Sequence, residues 1–241
     1  IAAQEYRISP LPTTYFINKE GIITGYRLGY ITYEEMLIEV EKAKITFHLL
    51  PQFFKNRIFV AICIFLFFQS AFEAIMNNWS VSYFTEHLKV DQKQALVALS
   101  SLVLGMTFMR ALTGGVFRKL SSKHLLQMAF SLFVVGTLCL FIQQPWSYYL
   151  NIVGLFLIGA GLSPGFPVML GITGNMYKEV SGTAFSFAML IALTGNMVIN
   201  YITGVLVEQF GVRAFIYVII AVIISMLALY VYIRREKRVL V

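Results

Sequence analysis

The sequence predicts an all-α membrane protein: six transmembrane helices behind a small N-terminal ββα segment. Three observations carry this. Of 241 residues, 58% are hydrophobic and only 13% are charged, where a water-soluble domain carries about 25% charged residues. From Ile58 onward, six apolar runs of about 20 residues or more follow one another, and each can cross roughly 30 Å of hydrocarbon at 1.5 Å per residue. The first 44 residues hold no such run and read as soluble.

The composition also bounds function. A net charge of +7 could suggest nucleic acid as a partner. The basic residues, however, stand between apolar runs and at the C-terminus, so they report membrane topology instead. No phosphate-cradling loop is present, which argues against ATP-driven chemistry. Cys63 and Cys139 form no C-x-x-C and no metal spacing. No cofactor, no metal and no enzymatic activity are expected. Ile1 is not an initiator Met and no signal-peptide n-region precedes the first apolar run, so a fragment or processed product is expected.

Within residues 1–44, Thr13 to Ile17 is β-branched and aromatic, as strands prefer. Asn18-Lys19-Glu20-Gly21 is a turn, and Ile22 to Tyr30 can return as a second strand. Thr32, with Glu35 three residues on, forms a capping-box pattern that opens a helix reaching about Lys44. The string from Pro12 to Ile22, then Gly29-Tyr30-Ile31-Thr32, resembles the C-terminal part of a thioredoxin-like fold. That resemblance implies a cis-proline at Pro12. The C-x-x-C and the first βαβ unit of that family are missing, so the piece is expected to be redox-inactive.

Residues 45–57 are a linker with basic residues beside the first span, and 58–241 form the transmembrane domain with a basic tail. The expected spans are 58–84, 95–115, 124–143, 147–173, 181–206 and 213–233. Lys42, Lys44, Lys55, Arg57, Arg118, Lys119, Lys123, Lys178 and the arginines and lysines from Arg234 to Arg238 collect on one side. By the positive-inside rule both termini are cytoplasmic, in a plasma membrane such as the bacterial inner membrane.

The first span carries Gln69, Glu73 and Asn77 at i, i+4 and i+8, which stacks them on one helix face. A carboxylate there is tolerated where it faces a bundle interior or a water-filled path. In the fifth span, Asn196 and Asn200 share a face. Their amides can hydrogen-bond sugar hydroxyls or a neighbouring helix. Trp79 either belongs to an interfacial aromatic belt or stacks on a sugar. Arg110 ends the second span before a glycine-rich basic turn. Gly161 and Gly165 form a small-xxx-small surface, and Pro164 and Pro167 should bend or break the fourth span.

Further strings carry a second resemblance: Phe68 to Trp79, Leu104 to Arg110, Gly159 to Pro167, Ser181 to Ser186, and Gly195 to Tyr201. From about Gln52 to Ile233 the chain is similar to the C-terminal six-helix half of a major facilitator superfamily transporter, most like the fucose-permease-like sugar:proton symporters. The resemblance implies a proton-coupled carrier with alternating access, whose site lies between two six-helix halves. Gln69, Glu73, Asn77, Trp79, Asn196 and Asn200 would then bind a small solute such as a sugar. Arg110, Gly161, Pro164, Gly165 and Pro167 would serve packing and conformational change. The lipid bilayer is one partner, and a missing N-terminal half or a second copy is another. Two alternatives stand beside this reading. One is a membrane thiol–disulfide carrier using Cys63 and Cys139, although their expected depths differ by roughly 15 Å. The other is a non-functional fusion of two half-domains.

Overall fold

The computed structural model describes residues 13–17, 23–28, 50–142 and 147–235. Strands β1 (Thr13–Ile17) and β2 (Ile23–Leu28) pair antiparallel, with Thr13 opposite Leu28 and Tyr15 opposite Tyr26. Pro12, the turn and the helix expected up to Lys44 lie outside the described residues.

The expected linker contains a short helix, α1 (Leu50–Lys55). Asn56 then opens α2 (Arg57–Ser82), its Oδ1 accepting from the Ile58 amide at 3.0 Å and the Phe59 amide at 3.3 Å. This satisfies two of the donors that every helix start leaves without a partner. A π-helical turn, Tyr83–His87, prolongs the span. Helix α3 (Gln92–Gly114) begins three residues before its expected start, because Asp91 caps it by accepting from the Lys93 amide. After a 3₁₀ turn come α4 (Ser122–Phe141) and α5 (Ser147–Met176). A second 3₁₀ turn leads to α6 (Ser181–Phe210), and α7 (Ala214–Arg235) follows. Gly211 closes α6 at φ +81°, a backbone region that side chains rarely adopt.

Six of these helices, α2 to α7, are long and apolar enough to cross a membrane, and the chain is an integral membrane protein. Helix α5 is not interrupted: both Pro164 and Pro167 sit inside one continuous run from Ser147 to Met176. The expected break is therefore absent.

Connections between membrane helices are short, so consecutive helices run antiparallel. The packing is swapped between the two triplets of helices. Helix α5 packs chiefly against α3 and α4, and α2 packs chiefly against α6 and α7. The first helix of each triplet thus leans on the second and third helices of the other. With an odd number of helices per triplet, the two triplets cross the membrane in opposite senses.

Lipid tails are as apolar as leucine, so close van der Waals packing must hold such a bundle together. Glycines permit it. A Cβ on Gly159 would fall 2.9 Å from the Leu102 carbonyl carbon, and one on Gly105 2.9 Å from that of Phe156, so α3 and α5 touch backbone to backbone. Gly136 and Gly154 do the same for α4 and α5. Aromatic rings close both ends. Phe53 of α1 meets Tyr177 edge-on at 4.8 Å beside Phe59. At the opposite end Tyr83 stacks near Phe215 and donates its hydroxyl to the Leu140 carbonyl at 2.8 Å.

Candidate functional site

The α2 face predicted to be polar divides between two environments. Gln69 is buried, and its Nε2 donates to the Leu162 carbonyl of α5 at 2.8 Å. Glu73 and Asn77, one and two turns on, are half-buried. They line an open depression of about 470 Å³ together with Ser70, Ala74, Asn78, Phe166 and Asn196. Three helices build it: α2 supplies most of one wall, α5 supplies Phe166 and α6 supplies Asn196.

The depression lies near mid-span. Glu73 is close to the middle of the 31-residue span Arg57–His87, and Asn196 is close to the middle of the 30-residue α6. A ligand there would sit far from either end of the bundle.

Hydrogen bonds tie the two walls together. Asn78 Nδ2 donates to Asn200 Oδ1 at 3.2 Å, crossing from α2 to α6. Asn200 Nδ2 in turn donates to the Asn196 carbonyl at 3.0 Å and lies 3.2 Å from Asn196 Oδ1. Asn77 Nδ2 donates to the Glu73 carbonyl at 2.8 Å. Arg110, exposed on α3, interacts electrostatically with Glu73 through space.

Several predicted residues take other positions. Gln69 does not line the depression, because its amide is used against α5. Trp79 lies half-buried against α6, where a Cβ on Gly204 would sit 3.5 Å from its ring. Six residues after Glu73, it is turned about 120° around the helix from that side chain. Asn200 stands behind Asn196 and supports it. Gly161 and Gly165 do not share one packing partner: Gly161 meets Phe133 and Ala129 of α4, and Gly165 meets the Gln69 side chain. Pro164 is buried and Pro167 is exposed.

Ser70, Asn78 and Phe166 line the depression without having been foreseen. Asn78 carried a signal, since it is the second amide of an Asn-Asn pair inside an apolar span. Phe166 carried none, because nothing distinguishes it from the other phenylalanines. Both cysteines are free thiols, Cys63 on α2 and Cys139 on α4. Among the described residues no cluster of His, Cys, Asp and Glu could hold a metal ion.

The chemistry available is therefore polar recognition beside one carboxylate. The amides can bind a hydroxylated solute, and the carboxylate can accept a cation or a proton.

The Major Facilitator Superfamily family model matches residues 21–191, more than half of the chain. The match begins inside the segment read as thioredoxin-like, and that reading gains no support from it. No curated protein matches the chain.

Proposed function

The chain belongs to the major facilitator superfamily, whose members are membrane transporters of small solutes rather than enzymes; from that premise we propose that it forms one six-helix half of a secondary, proton-coupled carrier of a sugar or similar small solute. The observation that supports this most directly is the depression holding Glu73, Asn77 and Asn196 near mid-span. Transporter sites of this kind lie near the bilayer midplane, at the interface between repeats. Alternating access would come from one six-helix unit rocking against another, a partner half or a second copy. Glu73 is assigned the proton, because it is the one ionisable side chain among the residues lining the depression. The bias of basic residues toward the end bearing Lys55, Lys123 and Arg235 supports a cytoplasmic side for that end and for both termini.

The test uses the polypeptide extracted from its native membrane and reconstituted into vesicles. Its intact mass is measured first, against 27.3 kDa for this chain. An inward proton gradient should then drive sugar accumulation. Glu73→Gln should abolish that accumulation while leaving gradient-independent exchange of the sugar in place. Equal gradient-driven uptake in the variant would remove Glu73 from the coupling mechanism. Absence of sugar exchange in the wild type would end the sugar reading.

A further inference from the structure

In a bilayer every outward apolar surface is wetted by lipid, and lipid tails are as apolar as leucine. An apolar face alone therefore selects nothing. A lipid site needs a hollow that one acyl chain can follow and a polar group at the depth of the headgroups. Helix α7 carries both, and it supplies no residue to the depression around Glu73.

One face of α7 is buried through Phe215, Ile219, Val222, Met226, Tyr230 and Ile233. Its outward face holds an open groove of about 460 Å³. Two rows of residues spaced four apart line it: Ile224, Ala228 and Tyr232, and beside them Leu227, Val231 and Arg235. All six are exposed. Ala228, whose side chain is a single methyl, interrupts the first row between two large side chains, which makes the hollow. Arg235 is the one charged side chain among the described residues that line it.

The length and position of the groove fit one leaflet. From Ile224 to Arg235 the helix rises about 16 Å, and half of a 30 Å hydrocarbon core is about 15 Å. Ile224 stands near the middle of α7 and Arg235 at its end, on the side of the membrane that bears Lys55. The groove thus runs from the midplane to the headgroups, as an acyl chain does. There the guanidinium offers a planar fork of donors that matches a phosphate. Arg234, one residue earlier, is turned about 100° around the helix and does not line the groove. A second copy seated on this face about a twofold axis along the membrane normal would bring two Arg235 side chains together, and like charge opposes that packing.

We propose that this groove holds one phospholipid of the Lys55-side leaflet, selected for an anionic headgroup. An acyl chain lies along Ile224, Ala228 and Val231, and the phosphate binds the Arg235 guanidinium. The chain exchanges one apolar surface for another, so the headgroup decides which lipid is kept. A zwitterionic lipid brings its own cation toward Arg235, and a lipid of net negative charge does not.

The test titrates the full chain, in mild detergent, with phosphatidylglycerol or phosphatidylcholine of identical acyl chains. Native mass spectrometry reads the affinity of the first lipid bound. Phosphatidylglycerol should bind about fivefold or more tightly than phosphatidylcholine, the scale of one arginine at a membrane surface. Arg235→Gln should bring the two lipids to parity. Lys55→Gln, which removes a cation from the same end but not from the groove, should leave the preference in place. Ala228→Phe, which fills the hollow on an exposed face, should weaken binding of both lipids about fivefold or more. Equal binding of the two lipids by the wild type overturns the proposal. So does an equal loss of preference in Arg235→Gln and Lys55→Gln, because the charge of the whole end then acts rather than the groove. Unchanged binding by Ala228→Phe also overturns it, since the acyl chain then lies elsewhere.

Discussion

Gln69 shows how one side chain fits a proline-bearing helix to its neighbour. Pro164 and Pro167 have no N–H, so the carbonyls of Ala160 and Ser163 lose their helical donors. The Gln69 amide comes from α2 and bonds the Leu162 carbonyl between them. Gly165 makes room for it, since a Cβ there would lie 2.5 Å from Gln69 Oε1. Gln69→Leu should lower stability by about 1 kcal/mol, the usual scale for a hydrogen bond between membrane helices. Gly165→Ala should cost more in the wild type than in a Gln69→Ala background, because the two side positions compete for one space. Thermal unfolding of the four proteins in detergent completes the cycle. Strictly additive costs would mean that Gln69 and Gly165 do not meet. Spacing in the sequence put Gln69 on the Glu73 face of α2. Spacing along one helix does not reveal which helix lies opposite, so the turn of its amide toward α5 was not legible. For the same reason Trp79 could be set near the depression by proximity in sequence, whereas its packing against Gly204 of α6 decides its place.

At the scale of the element, the helices were legible and their contacts were not. Length and hydropathy located all six spans, because crossing a bilayer demands an unbroken apolar run. The ends shifted by a few residues where caps decide them, as with Asp91 before α3. The glycine pair Gly161 and Gly165 drew attention as a packing motif. The tighter crossing uses Gly105 and Gly159, which stand on different helices and form no motif in the chain. Gly105→Ala and Gly159→Ala should each destabilise the bundle by about 1–3 kcal/mol, since backbone cannot yield to the added methyl without separating α3 and α5. Gly171 offers the opposite case. It lies within α5 and a Cβ there meets nothing within 4 Å. Gly171→Ala should stabilise by about 0.5–1 kcal/mol, by the helix propensity of alanine alone. Unfolding in mixed detergent micelles would compare the three. A destabilising Gly171→Ala would show that this face of α5 is covered in the folded protein.

At the scale of the molecule, the swapped packing makes the two triplets of helices one cooperative unit. Neither α2 to α4 nor α5 to α7 holds its own principal contacts. Expressed separately, each triplet should be protease-sensitive in the membrane, and co-expression of the two should restore resistance. Resistance of α2 to α4 alone would show that contacts within a triplet suffice. The depression depends on the same arrangement, because the α2–α6 contact brings Asn196 and Asn78 into one site although 118 residues separate them along the chain. No local pattern could have paired them. The polar residues of α2 and α6 were each visible as a spacing on one helix, and only the fold joins them.

The swap also orders events in time. Of the six membrane helices α2 is made before the others, yet its chief partners, α6 and α7, are made last. During synthesis α2, carrying the Glu73 carboxylate, must therefore remain in lipid or against the insertion machinery while more than a hundred residues are added. The side chain placed in the depression is the same one that makes this wait costly. An assembly chaperone or insertase that shelters a charged helix would have its longest task at α2, and a ribosome stalled after α5 would leave that helix without its partners.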